Sequence, residues 1–318
     1  MTRFRLGEGD SWGVVLGHHP LTYIIDWAAT MPSKEMCASL AIAPVEPYRS
    51  HVIEANLAVN YPRFQPSSDG DSFRSLDLLK GAHDGETLVI VGSGPSSHGV
   101  AERLAPYREY CKVMACNNAM REVRDADYFF LIEALPKESW WEFADPSQTK
   151  LIAPIHAGKA TAEKWARDDS FYFWIKDMRR HDGDLERLTT IEGACHVGTS
   201  AMHVAHTLGF SRVLLVGFDF CAKNIVKNYE TQSFEAVFYG DGTPVSETYA
   251  GGSTGFLTVD LTGEEVMVFP SMLEHLRAME IAVSIAERAG VEVWNCAEGG
   301  MLDTDWRASL EDVLVGSL

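Results

Sequence analysis

Apolar residues in this chain come in short unbroken runs rather than in strict alternation with polar ones. Thr87-Leu88-Val89-Ile90-Val91 is the clearest run, and its β-branched content suits a strand buried on both faces. Lys112-Val113-Met114-Ala115-Cys116 and Tyr128-Phe129-Phe130-Leu131-Ile132 predict two more strands. Leu151-Ile152-Ala153, Phe171 to Ile175, Arg212 to Gly217 and Val291 to Asn295 continue the series. Between them, helical patterns cover Ser96 to Leu104, Gly198 to Leu208 and Ser271 to Ala289, the last stopped by Gly290 as a C-cap. Strands alternating with helices predict an α/β fold, a mostly parallel sheet with helices on both faces.

Two stretches break this rhythm. Residues 1–80 predict a small helical N-terminal region, with short helices at 21–30, 33–40 and 51–58 set among breakers such as Asn60-Tyr61-Pro62. The main domain is then 81–318. From Phe220 to Leu261 the chain is rich in Gly, Tyr, Thr and Ser and poor in apolar runs, which is usual for a functional segment. Val259 to Val266 closes it like a β-hairpin with a Gly turn.

Composition narrows the function classes. Of 318 residues, 46% are hydrophobic, enough for a sizeable core. The 27 Lys and Arg against 45 Asp and Glu leave a net charge of −18. Such a surface repels nucleic acid, though it does not prevent backbone N–H groups from holding a small anion. The first residues lack an apolar leader and no apolar run approaches the ~20 residues of a membrane span, so a cytoplasmic protein without membrane insertion is expected. The six cysteines, at 37, 111, 116, 195, 221 and 296, form no C-x-x-C pair and read as ordinary reduced thiols.

Candidate chemistry falls at the predicted strand ends. Gly92-Ser93-Gly94-Pro95-Ser96 follows the first buried strand directly. Its glycines permit close approaches, Pro95 suits a first helical turn, and the free N–H groups of a helix start favour an anion such as phosphate. A ligand-free β–α turn is the alternative. A dinucleotide fingerprint would carry a third Gly and an acid after the second strand; here those places hold Ser97 and Cys116-Asn117-Asn118, which disfavours NAD or FAD. Asn117 and Asn118 can read a base or ribose edge, or simply make a turn. Asp219, after the Val213–Val216 run, can hold a sugar hydroxyl, a metal or a nucleobase, or serve as a turn aspartate. Thr199 and Ser200 open a helix as a second phosphate-facing terminus or as ordinary caps. Glu298, in Asn295-Cys296-Ala297-Glu298-Gly299-Gly300, can act as base, metal ligand, ribose clamp or loop ion pair. His203 and His206 share a helix face, but no third ligand stands at a usable spacing, so no metal ligands are assigned.

In order, these motifs resemble the Maf (motility accessory factor) proteins and the MptE-like 6-hydroxymethylpterin diphosphokinases. Gly92-Ser93-Gly94-Pro95-Ser96 is similar to their G-x-G-P-S element. Gly198 to Met202 followed by Val213 to Asp219 resembles their small-residue helix, strand and G-x-D block, and Asn295 to Gly300 resembles an N-x-[ST]-E-G-G ending. Cys116-Asn117 is more distantly similar to an element of bacterial sialyltransferases. The resemblance spans roughly residues 50–302 and implies a Rossmann-like nucleotide-binding domain. It implies a transferase, either a glycosyltransferase using a nucleotide-activated, CMP-type sugar or a pterin diphosphokinase using ATP and magnesium. A degenerate domain that binds a nucleotide without turnover is the third reading. Asp219 and Glu298 are the expected catalytic residues, and Gly92, Ser93, Gly94, Pro95, Ser96, Asn117, Asn118, Thr199 and Ser200 the expected nucleotide contacts. The sialyltransferases carry a catalytic His after the G-x-D block, but no His stands between His206 and His275 here; Tyr229, Tyr239 and Tyr249 offer a substrate loop instead.

Overall fold

The computed structural model describes residues 74–133, 136–154, 157–166, 171–174, 196–228, 233–237, 256–268 and 270–316, with a two-residue pair, Val15–Leu16 against His19–Pro20. The helices expected at 21–30, 33–40 and 51–58 lie outside the described residues, as do Tyr229, Tyr239 and Tyr249.

One nine-stranded sheet organises the molecule. Its strands are β1 (Arg74–Ser75), β2 (Thr87–Val91), β3 (Lys112–Cys116), β4 (Tyr128–Phe130), β5 (Lys150–Pro154), β6 (Phe171–Trp174), β7 (Arg212–Val216), and, after two hairpins, β12 (Glu292–Asn295) and β13 (Trp306–Arg307). The spatial order is β13-β12-β7-β2-β3-β4-β5-β6-β1, and every pairing is parallel. The chain moves outward from β2 through β3 to β6, then returns to β2's other side as β7. That reversal makes β2/β7 the topological switch point, where open α/β sheets bind ligands at the strand C-termini.

The apolar runs are continuous because both sheet faces are covered. Val89 and Val91 of β2 join Val113, Ala115, Leu214 and Val216 in one core, closed by α1 (Val100–Leu104), α2 (Lys159–Ala166) and α5 (Leu310–Val315). Leu88 and Ile90 join Met114, Val213 and Leu215 in the other, closed by α3 (Val197–Leu208) and α4 (Pro270–Arg288). Trp165 and Phe129 fill the first core and Phe210 and Phe130 the second. α4 stops where Gly290 takes a left-handed φ of 90°, as its position predicts.

Two local expectations need correction. Ser96 to Leu104 is not one helix. Pro95–Ser97 forms a single 3-10 turn, Gly99 turns left-handed at φ 70°, and α1 begins only at Val100. The break lies where Ser96 is drawn across to Asp219. The 220–261 stretch also has more order than its composition suggests. β8 (Lys223–Asn228) pairs antiparallel with β9 (Ser233–Val237), and β10 (Phe256–Val259) pairs with β11 (Glu265–Val268). The second hairpin buries Val266 and Val268 against Cys221 and Met272. Among the described residues, no helix is long and apolar enough to cross a membrane.

Candidate functional site at the strand C-termini

Sheet register brings the motifs to one rim. Val91 pairs with Ala115 on one side and Val216 on the other, and Leu215 pairs with Asn295. The segments Gly92–Ser96, Asn117–Asn118, Gly217–Asp219 and Cys296–Gly300 therefore all leave the sheet at neighbouring strand ends.

The first and third of these close on each other. Gly92 N–H donates to Val216 O at 2.7 Å and Gly94 N–H to Gly217 O at 2.9 Å. Ser96 completes the junction. Its N–H and hydroxyl donate to Asp219 Oδ2 at 3.1 and 2.9 Å, and its hydroxyl accepts from Gly217 N–H at 2.9 Å. This contact explains the glycines. A Cβ on Gly94 would collide with Asp219 Oδ2 and Gly217 O, and one on Gly217, whose φ is 76°, would strike Gly92 O. The donors of the turn are thus largely engaged within the protein. Ser93, half-buried, is the turn residue whose N–H and hydroxyl have no partner among the described residues.

Asp219 is 1% exposed. Burial raises its carboxyl above the usual range, opposed by the two Ser96 hydrogen bonds and by the positive charge of Lys223. Oδ1 is buried without a partner among the described residues. The backbone around it is fixed by the Gly299-Gly300 turn, since Met301 N–H donates to Asp219 O at 2.8 Å. That turn is held in its own right by Asp260. The Asp260 carboxylate accepts from Gly300 N–H at 3.0 Å and from Thr262 N–H, Thr262 Oγ1 and Glu264 N–H. Burial works against ionisation there, but these hydrogen bonds prevail and bring the group down to about 2. Lys223 Nζ stands 3.4 Å from Asp260 Oδ2 and 3.1 Å from Glu264 Oε2.

The other expected residues divide. Asn117 reaches the rim with a φ of 50° and a buried, unpartnered Oδ1; Asn118 follows it in a 3-10 turn. Thr199 and Ser200 are buried at the start of α3, and Thr199 Oγ1 donates to His196 O at 2.8 Å. Asn295 is a turn pin, with Nδ2 donating to Leu302 O at 2.6 Å and Oδ1 accepting from Ala297 N–H at 3.0 Å. Glu298 is 72% exposed and faces Arg103 at 3.4 Å, on the α1 side, where Arg103 also grips Glu311 in a bidentate pair at 2.6 and 2.9 Å. The structure brings Gly92–Ser96 and Asp219 together and sends Glu298 to a different neighbour.

Sequence reasoning missed several rim groups. His196 and His275 meet with ring centroids 4.7 Å apart, although 79 positions separate them (275 − 196). Lys223 returns to the rim four residues after Asp219. An open groove of about 780 Å³ runs between His98–Glu102 and Arg121–Asp125, beside the ends of β2 and β3, and brings Arg121 and Arg124 to a rim whose motifs carry no cation. The cysteines at the rim are not poised as nucleophiles. Burial pushes the thiols of Cys221 and Cys296 up to about 12.

Residues 68–225 match the family described as 6-hydroxymethylpterin diphosphokinase MptE-like. No curated protein matches the chain. Among solved structures, a Maf glycosyltransferase from Magnetospirillum magneticum AMB-1 shares the fold, with a TM-score of 0.58 and 16% identity over 88% of this chain. This chain spans 43% of that protein's length. Through residues 68–225, whose ends and turns build the β2/β7 switch point, these likenesses support a Maf/MptE-like family for the chain.

Proposed function

We propose that this protein is a nucleotide-dependent transferase and that its donor is a nucleotide-activated, CMP-type sugar bound at the β2/β7 rim. One observation carries the reading: four loops from neighbouring parallel strands converge at the switch point, where Asn117 Oδ1 is buried without a partner among the described residues and the half-buried Ser93 forms no described hydrogen bond. Phosphate contacts the Ser93 N–H and hydroxyl at the Gly92–Ser96 turn. Asn117 and Asn118 read the ribose or base edge from the β3 side. Asp219 fixes the floor of the cleft through Ser96, whose hydroxyl also holds Gly217 N–H. Tyr229, Tyr239 and Tyr249, outside the described residues, stay the expected substrate contacts by sequence alone. Thr199 and Ser200 support the cleft from α3 through His196.

The family's description favours a second reading, transfer of a diphosphoryl group from ATP to a pterin with magnesium. Magnesium takes one or two carboxylates and completes its shell with water and substrate phosphates. Asp219 Oδ1, unpartnered among the described residues, fits that role. Glu298, turned to Arg103, does not join it. In this reading magnesium supplies charge neutralisation to the phosphates, and the protein's part is to hold Asp219 in place.

A thermal-shift panel separates the two. CMP-, UDP- and GDP-linked sugars are compared with ATP in the presence and absence of magnesium. Stabilisation by CMP-linked sugars supports the glycosyl reading. Stabilisation by magnesium-ATP alone sinks it in favour of diphosphoryl transfer.

A further inference from the structure

One rim cluster has no role in the phosphate and carboxylate chemistry above. His196 stands just before α3, His275 lies in the first turns of α4, and Phe218 and Phe220 flank Asp219. Each is at the C-terminal rim for the same reason. α3 and α4 lead into β7 and β12, so both helices start on the side where those strands end. The His196 ring lies 4.7 Å from that of His275, 5.3 Å from Phe220 and 6.3 Å from Phe218.

Three features distinguish this cluster from ordinary core packing. Phe220 holds a φ of 52°, a left-handed conformation that costs a bulky residue energy and persists at sites where the surroundings demand it. His196 Nδ1 is buried without a partner among the described residues, a state protein interiors seldom leave uncompensated. Neither imidazole forms a described ion pair, and burial lowers both, His196 to about 3 with a further push from His275. Both are therefore neutral at pH 7, each with one ring nitrogen able to accept and one able to donate.

We propose that this cluster is a subsite for a flat nitrogen heterocycle, stacked on the half-buried rings of His275 and Phe220 and hydrogen-bonded along its edge by His196. A phosphate finds no cation among these four side chains. A planar ring finds π faces that accept many heterocycles and a nitrogen that selects among them. The subsite rests on the rim cleft proposed above. It applies to a nucleobase and to a pterin alike, because they share this chemistry.

The test is calorimetric titration of CMP, ATP with magnesium and a free pterin into the wild-type protein, His275→Ala and His196→Phe, with histidine side-chain NMR of the wild type. The expected result is binding of at least one of these, displacement of both imidazole signals, and a loss of about tenfold or more in affinity for His275→Ala, in the range found for removal of one stacking ring. Binding that leaves the imidazole signals still, or that is equally tight in His275→Ala, overturns the subsite and leaves the nucleotide reading intact. A pterin bound through the histidines with no nucleotide binding supports the subsite and overturns the nucleotide reading. Failure of all three ligands overturns both. If His196→Phe does not fold, the half-buried His275→Ala decides alone.

Discussion

Replacing Ser96 by Ala tests whether the two loops at the switch point depend on one hydroxyl. The substitution removes a 2.9 Å hydrogen bond to the buried Asp219 carboxylate and a 2.9 Å bond from Gly217 N–H. Hydrogen bonds to charged groups contribute about 1.5–3 kcal/mol, and a buried N–H left unpaired costs about 1–3 kcal/mol, so a loss of about 3 kcal/mol is expected. In a domain of this size that corresponds to a fall in Tm of roughly 6–12 °C. The pH dependence adds a second check. Burial holds the folded Asp219 carboxyl above its ordinary range, so its contribution to stability falls as pH rises from the unfolded pKa through the folded one. Without Ser96 the ionised form loses more than the protonated form, and the folded pKa rises further. The gap between wild type and Ser96→Ala should therefore be widest at pH 7.5 and narrow on acidification. Urea unfolding at pH 7.5 and pH 5 measures both, with Ser93→Ala as a control expected within about 0.5 kcal/mol of wild type. A Ser96→Ala loss below about 0.5 kcal/mol, or one that grows as the pH falls, would refute the argument.

Further outcomes concern the neighbouring turn and the α1 side. Asp260→Asn should lower stability at pH 7 by about 2 kcal/mol, since a carboxyl held at about 2, below the ordinary aspartate value, stabilises the fold above the unfolded pKa and loses that contribution as pH falls toward 2; the deficit seen in urea melts should shrink below pH 4. Glu298→Ala should leave Tm within measurement error, because its exposed pair with Arg103 is worth little, whereas Glu311→Ala breaks a bidentate, half-buried pair and should cost about 1 kcal/mol in the same melts. Equal effects from the two glutamates would contradict this division.

The sheet was legible because burial on both faces writes itself into continuous apolar runs. Thr87–Val91 and Lys112–Cys116 have the predicted bounds, Arg212–Val216 stops one residue short of the expected Gly217, and alternate residues of each fall into opposite cores. The position of the rim was legible too, since parallel strands place their following turns together. What the rim residues do to each other was not. Ser96 meets Asp219 across 123 positions and Asp260 meets Gly300 across 40, and no local periodicity encodes such pairings. Asp219 after an apolar run reads the same whether its carboxyl faces solvent or its own protein. Gly92 and Gly94 read as permissive backbone, yet the object they make room for is the neighbouring loop. In sequence His275 is one residue of a long helix, and only the packing of α3 on α4 brings it to His196.

The Ser96–Asp219 contact also bears on the net charge of −18. A carboxylate already sits on an N–H and a hydroxyl that a phosphate would seek, so the turn carries an internal competitor. An incoming anion at Ser96 must displace Asp219, and a carboxylate turned out into that cleft would sit beside new negative charge. Its release would draw in a proton or a cation. Affinity at this turn should then be an exchange equilibrium, steeper in pH and in counterion than a count of its hydrogen bonds suggests.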